Sequence, residues 1–135
     1  MDIKALDKAL QEIISKRNEL RNIDYNNPKY DDLEEQLHDL EDDFQDAFGD
    51  YMEEVLQGVH DQLCPDTDVL YPIAYIAKTC VVSDNNEYQV SLTDGVYVEV
   101  DKYPNKETKL AIVPCPTRVV LNVGDERQEI VWSAQ

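Results

Sequence analysis

The sequence is poor in basic residues for a chain of one domain's length. Its 135 residues include 12 lysines and arginines against 29 aspartates and glutamates, for a formal net charge of −17 at pH 7. Such a polyanion repels the phosphates of nucleic acids and the anionic surface of membranes. We therefore expect neither as a direct partner, and we expect basic proteins, basic peptides or divalent cations instead.

Cysteines and long apolar runs are also scarce. The three cysteines, Cys64, Cys80 and Cys115, are few and cannot all pair with one another, so we expect free thiols rather than a disulfide framework. The segment 1–4 lacks the features of a secretory signal, and no apolar run is long enough to span a bilayer. These features predict a cytoplasmic protein.

The chain has few residues of the kinds that build catalytic sites, with two histidines and four glycines. His60 and Cys64 are four residues apart, a spacing that could place two ligands on one metal ion or pair a thiolate with a base. No other cysteine or histidine completes a tetrahedral set, and no oxyanion-hole loop is evident. We therefore predict no catalysis and no cofactor, and an enzyme that uses His60 and Cys64 is kept as an alternative.

Apolar residues in the first half recur at helical spacing. Ile3, Leu6, Leu10 and Ile13 begin a stripe at intervals of three and four, which predicts an amphipathic helix of about 20 residues. Asn27-Pro28 is typical of an N-cap and first helical position, and the heptad pattern then continues for about 33 residues. The sequence predicts a coiled-coil-like antiparallel helical hairpin over residues 1–64, with the second helix longer.

After residue 65 the period changes to two. Residues 88–92 and 96–100 alternate on either side of Asp94-Gly95, which predicts a hairpin. Turns at 84–86 and 124–127 separate further strands, at about 70–82, 110–113, 119–123 and 129–132. We predict an α+β fold, with the second helix packed on an antiparallel β-meander of five or six strands over residues 65–135. The sheet is either open or a small partial barrel, and the two halves form one compact unit.

Acidic residues concentrate on the second helix. Between Asp24 and Asp66 lie fifteen carboxylates and a single lysine, Lys29. At 100° per residue, six of them fall within an arc of roughly 80° opposite the leucines. We call these six the acidic ridge: Glu35, Asp39, Asp42, Asp46, Asp50 and Glu53.

Two interpretations of the acidic ridge stay open. It is either a solvated face partly neutralised by the bases of the first helix, or a docking surface for a basic protein. Asp50 and Glu53 lie beyond the first helix, so no base of that helix is near them. This favours an external partner.

The tip of the helical hairpin is a second candidate. Asp24, Asp31 and Asp32 would cluster there, and carboxylates at a protruding tip could hold a divalent cation. A helical hairpin with an acidic tip before a β half resembles, in its architecture, the Gre-type transcript-cleavage factors, although the hairpin here is shorter. The resemblance implies a metal-binding or RNA-polymerase-associated factor that acts through the tip.

The sequence thus predicts a non-catalytic cytoplasmic adaptor, inhibitor or regulator. Its partner would be a basic protein or peptide that docks on the acidic ridge. Homodimerisation through the heptad faces of the helical hairpin also stays open, because such faces can pair further.

Overall fold

The computed structural model describes residues 1–85 and 87–134, and these form an α+β fold. The helices are α1 (Ile3–Arg21), α2 (Tyr30–Leu63) and the short α3 (Pro72–Tyr75). The strands are β1 (Cys80–Val82), β2 (Tyr88–Val90), β3 (Val96–Val98), β4 (Thr108–Val113), β5 (Arg118–Val123) and β6 (Arg127–Ser133). The predicted fold class is confirmed, and the sheet is open rather than a barrel.

The two long helices begin differently, since α1 has a side-chain N-cap and α2 has none. Asp2 is the N-cap of α1, and its carboxylate accepts a hydrogen bond from the Ala5 backbone N–H at 3.1 Å. Helix α2 begins at Tyr30, two residues after the predicted start. Asn27 does accept a hydrogen bond from the Lys29 backbone N–H through its side chain, but the Tyr30 N–H bonds back to the Asn27 carbonyl, three residues earlier. This tight turn delays the regular α-helix.

Helix α2 is the longer helix, with 34 residues against 19 in α1. It continues through Gly58 without a break. Its buried side includes Phe44, Met52 and Leu56, and each fully buried side chain of this size contributes about 1.5–3 kcal/mol. Tyr51 on the same helix meets Trp132 of β6 edge to face, with the ring centroids 6.3 Å apart.

The strands form a four-stranded antiparallel meander in the order β3-β4-β5-β6 and a separate β1-β2 hairpin. The predicted hairpin between 88–92 and 96–100 is therefore wrong. Strand β2 pairs with β1, with Val81 opposite Gln89, and β3 pairs with β4, with Tyr97 opposite Lys109.

Asp94 and Gly95, expected to form that hairpin turn, make contacts with other segments instead, and Asp94 is buried. The Asp94 carboxylate accepts hydrogen bonds from the backbone N–H groups of Lys78 and Thr79, both at 2.8 Å. Gly95 has φ +118°, and a Cβ there would lie 2.6 Å from the Leu110 carbonyl oxygen. Asp94 thus contacts segment 78–79, and Gly95 packs closely against β4. Here the chain passes from the β1-β2 hairpin to the four-stranded sheet.

Two other turn and strand predictions have mixed outcomes. The predicted strand at about 70–82 is wrong in its first part, where Pro72 occupies the first turn of α3 and the residue before it is extended. Only the part at β1 is a strand. Residues 84 and 85 lie in the β1-β2 turn, whereas Asn86 lies outside the described residues. The turn predicted at 124–127 is confirmed for 124–126, with Gly124 at φ +56°, whereas Arg127 already begins β6.

One cluster of buried apolar residues joins the two halves of the chain. It includes Leu10 of α1, Phe44 of α2, Tyr75 of α3 and Leu121 of β5. The parallel bridge between Ile76 and Ile112 extends the meander beyond the end of β3. Within the described residues, no helix is both long and apolar enough to cross a membrane. The division into two domains at residue 64 stays a prediction.

Candidate protein-binding surface

The acidic ridge lies along the exposed side of α2. All six of its carboxylate residues, Glu35, Asp39, Asp42, Asp46, Asp50 and Glu53, are exposed. In the part of the chain that the structure describes, none of the six takes part in an ion pair within 4.0 Å. Like charges three and four residues apart cost an isolated helix a few tenths of a kcal/mol per pair, so the packing of the opposite face must offset this repulsion.

The bases of α1 that are nearest in sequence to the hairpin tip have other partners. Lys16 lies 3.5 Å from Glu19 of its own helix. Arg17 donates to the Glu41 carboxylate at 2.7 Å and to the Ile76 carbonyl at 3.0 Å. Arg21 donates to the carbonyl of residue 78 at 2.6 Å. These contacts fasten α1 to α2 and to the segment before β1, and they leave the ridge carboxylates without these partners.

The first half of the acidic ridge nevertheless borders basic residues. A groove of about 690 Å³ between α1 and α2 is lined by Lys8 and Lys16 as well as by Asp39 and Asp43. The charges in this groove offset one another in part. We call the last four ridge residues, from Asp42 to Glu53, its second half. This part borders two depressions, at Asp42 and at Glu53, and neither is lined by a lysine or an arginine.

Apolar side chains flank this second half of the ridge. Tyr71 is 73% exposed and Leu70 is 47% exposed. With their neighbours they form a surface that we call the Tyr71 patch: Val69, Leu70, Tyr71, Ile73 and Ala74.

Two depressions share Tyr71 and Ala74 in their walls. One, of about 560 Å³, is walled by the ridge residue Glu53 together with Leu70 and Ala74. The other, of about 440 Å³, is walled by Asp42, Gln45 and Ile73. Ridge carboxylates and apolar groups therefore share the same walls.

A buried hydrogen-bond network holds the loop that carries Tyr71. His60 of α2 is 1% exposed; its Nδ1 lies 2.9 Å from the Thr67 carbonyl oxygen and its Nε2 lies 3.0 Å from the Tyr75 hydroxyl. The carbonyl can only accept, so Nδ1 carries the proton, and the Tyr75 hydroxyl then donates to Nε2. The same hydroxyl accepts from the Leu70 backbone N–H at 3.0 Å. Every polar group in this network thus has a partner, and the loop is fixed to α2.

His60 and Cys64 are both buried at the end of α2. Both ring nitrogens of His60 bond to groups other than the Cys64 thiol. Burial raises the pKa of the Cys64 thiol, and the nearby Asp101 carboxylate raises it further. A thiol with a raised pKa is a poor nucleophile and a poor metal ligand at neutral pH. The prediction of free thiols is confirmed for all three cysteines, and burial is the main cause that raises the pKa of Cys80 to about 11.

The hairpin tip carries the three carboxylates named above as a candidate cation site. Asp24, Asp31 and Asp32 are all exposed, and Asp31 and Asp32 lie in the first turn of α2, where the helix dipole favours negative charge. Among residues 1–85 and 87–134, no three acidic, histidine or cysteine side chains group in a way that could hold a metal ion. The tip does expose Tyr25, whose ring centroid lies 5.2 Å from that of Tyr30.

Sequence reasoning missed a carboxylate that holds the fold together. Asp7 of α1 accepts hydrogen bonds from the Cys115 backbone N–H at 2.9 Å and from the Thr117 hydroxyl and the Gln11 amide at 2.7 Å each. Burial alone would raise the pKa of Asp7, but these hydrogen bonds together lower it. Two of its partners lie more than 100 residues away in sequence. No local pattern could therefore reveal them.

A scan against protein-family models and searches of curated proteins and of solved structures found no match. The case for a function therefore rests on the residues of this chain. The architectural resemblance to transcript-cleavage factors stays a prediction.

Proposed function

We propose that this protein is a non-catalytic adaptor, inhibitor or regulator that binds a basic protein partner through the acidic ridge. One observation carries the proposal. Six exposed carboxylates follow one another along α2, and in the described residues none of them has an ion-pair partner. A row of unpaired like charges costs the free protein stability, and cations supplied by a partner would remove that cost.

The acidic ridge and the Tyr71 patch, both on this side of α2, would contribute to binding in different ways. Charge acts over several ångströms, so the acidic ridge would steer the partner and set which proteins associate. The Tyr71 patch would supply affinity, because exposed aromatic side chains are common among the residues that dominate binding energy. Neither role needs a cofactor or a reaction.

The charge and the cysteines support the rest of the proposal. A net charge of −17 opposes direct binding to nucleic acid or to anionic membranes. We place the protein in the cytoplasm, because its three cysteines are unpaired thiols and such thiols persist in a reducing compartment.

A capture experiment tests the proposal. The tagged protein would be incubated with lysate of the source organism and washed across a salt series, and the bound proteins would be identified by mass spectrometry. Two variants would be run beside it. The ridge variant carries Asp46→Lys, Asp50→Lys and Glu53→Lys. The control variant carries Glu87→Lys, Glu99→Lys and Asp125→Lys, which changes the net charge equally at exposed positions of the β half.

The expected result is a basic protein that the wild type and the control variant retain at low salt and release as salt rises. The ridge variant should lose it while its circular dichroism spectrum stays unchanged. Equal capture by all three proteins, or a captured set without basic proteins, would contradict the proposal.

A further inference from the structure

The Tyr71 patch and the second half of the acidic ridge together indicate what kind of segment would dock here. We propose that the partner contributes a basic segment with one large apolar side chain. This side chain enters the depression between Tyr71 and Gln45, and lysines or arginines beside it pair with the ridge carboxylates. The inference rests on the proposed function, because it names the part of the partner that the ridge would receive.

The depression suits an apolar anchor. It holds about 440 Å³, and its wall is mostly apolar and includes Tyr71, Ile73 and Ala74. A leucine, phenylalanine or tryptophan side chain would find room there. Covering exposed apolar surface of this kind lowers the free energy of the complex, so an apolar side chain binds here more favourably than a polar one.

One polar atom in the wall lacks a partner. Within the described residues, the side-chain oxygen of Gln45 is buried and has no hydrogen bond. Gln45 lies along α2 over Gly49, since a Cβ at position 49 would be 2.2 Å from the Gln45 amide nitrogen. Buried acceptors in proteins are nearly always paired, but this oxygen has almost no accessible surface, so a donor of the partner reaches it only if the Gln45 side chain moves.

The patch is held in place before a partner arrives. Tyr71 precedes Pro72 at the start of α3, and its carbonyl accepts a hydrogen bond from the Ala74 N–H at 3.0 Å. The adjacent Leu70 N–H is bound to the buried Tyr75 hydroxyl. A surface that is already ordered loses little conformational freedom on binding, which favours affinity.

The carboxylates give the occupant its charge. Asp42 stands in the wall of the anchor depression, and Glu53 stands in the wall of the depression beyond Tyr71. At 1.5 Å per residue their positions are roughly 16 Å apart along α2, and Asp46 and Asp50 lie between them. A partner segment of roughly five extended residues or eleven helical residues spans that distance. A second copy of this chain carries the same −17 charge and would be repelled.

The test uses two fluorescein-labelled peptides of twelve residues. Both contain six lysines spaced by serines, and the anchored peptide has a central phenylalanine where the anchorless peptide has serine. Binding to the full chain would be measured by fluorescence anisotropy at physiological salt. We expect the anchored peptide to bind about tenfold more tightly than the anchorless one, as burial of part of a phenylalanine allows.

Three variants separate the contributions. Tyr71→Ser should abolish the tenfold preference and leave the affinity for the anchorless peptide unchanged. Tyr97→Ser, at a tyrosine of β3 that is 55% exposed, is the matched control and should keep the preference. The ridge variant with lysine at positions 46, 50 and 53 should weaken the binding of both peptides at least tenfold.

The outcomes distinguish the two proposals. If Tyr71→Ser keeps the preference while the ridge variant weakens both peptides, the anchor site is wrong and the acidic ridge stands. If the ridge variant binds both peptides as the wild type does, the proposed function fails, and the anchored segment fails with it.

Discussion

Two groups of carboxylates in this chain have opposite surroundings. Asp7 and Asp94 each accept three or more hydrogen bonds from distant parts of the chain, and they join α1 to the β4-β5 turn and segment 78–79 to the start of β3. The six carboxylates of the acidic ridge are exposed, and within the described residues none of them forms an ion pair. The same chemical group thus holds the fold together in one region and is displayed to solvent in the other.

The difference in surroundings is informative because the same type of side chain is compared within one protein. A carboxylate that serves the fold is satisfied inside the chain, and its removal leaves buried donors unpaired. A carboxylate that serves no internal contact can be changed at little cost to stability. The comparison therefore separates residues that we expect to matter for folding from residues that we expect to matter for binding.

The largest expected effect is at Asp94. Asp94→Ala removes the acceptor of the backbone N–H groups of Lys78 and Thr79 and of the Thr79 hydroxyl. Three part-buried hydrogen bonds to a charged acceptor are lost, so we expect a loss of about 3 kcal/mol in the free energy of unfolding. Urea denaturation measures it. Asp46→Ala on the ridge is the matched control, with an expected change within about 0.5 kcal/mol. Equal losses of stability at the two positions would contradict the distinction between carboxylates that hold the fold together and those of the ridge.

A smaller effect that depends on pH is expected at Asp7. Burial opposes ionisation of this carboxyl, but its hydrogen bonds prevail and hold the folded-state pKa below its usual range. The stabilisation is therefore fully present above the unfolded pKa and is lost as pH falls through the folded pKa. We expect Asp7→Asn to cost about 1 kcal/mol at pH 7, since the group is partly exposed and solvent weakens its bonds.

The pH series supplies the check on Asp7. The difference in unfolding free energy between the wild type and Asp7→Asn should shrink as pH is lowered below about 4. A difference that stays constant from pH 7 to pH 3 would show that the charge of Asp7 has no part in the contact.

Neighbouring residues on α2 sharpen the comparison further. Glu41 accepts a hydrogen bond from Arg17 at 2.7 Å, and both side chains are less than 20% exposed, whereas the adjacent Asp42 is exposed. We expect Glu41→Gln to lower stability by about 1 kcal/mol, as loss of a partly buried ion pair should. Asp42→Asn should change it by less than about 0.5 kcal/mol. Thermal unfolding of the two variants, measured side by side, tests the pair; a larger loss at Asp42 would contradict it.

The smallest expected effect has the opposite sign. Neutralisation of the ridge by Asp46→Asn, Asp50→Asn and Glu53→Gln removes like-charge repulsion along α2, worth a few tenths of a kcal/mol per pair. We expect a slightly higher unfolding midpoint at low salt, and a gain that fades at high salt because salt screens exposed charges. A clear loss of stability would show that the ridge makes internal contacts.

The sequence predicted those parts of the fold that depend on local periodicity. The stripe from Ile3 to Ile13 and the heptads of α2 predicted both long helices, because a helix repeats its buried face every three or four residues. The residue alternation after 65 predicted antiparallel strands. The α+β class followed from these two periods.

The parts that failed depend on contacts between distant residues. Asp94-Gly95 has the composition of a hairpin turn, but the Asp94 side chain binds backbone sixteen residues earlier in the chain. In the structure β2 pairs with β1 and β3 pairs with β4, not β2 with β3. The acidic ridge was visible in the sequence as a charge pattern, whereas the Tyr71 patch beside it was not, because the predicted strand at about 70–82 is partly the short helix α3.

The most direct test is the rate at which the captured partner associates with the wild type, the ridge variant and the control variant, followed by stopped-flow fluorescence from low to high salt. We predict that the ridge variant associates more slowly and with a weaker dependence on salt, while the control variant follows the wild type. Rates that are equal for the ridge variant and the wild type at every salt concentration would contradict the account, and would leave the acidic ridge as a solubilising surface.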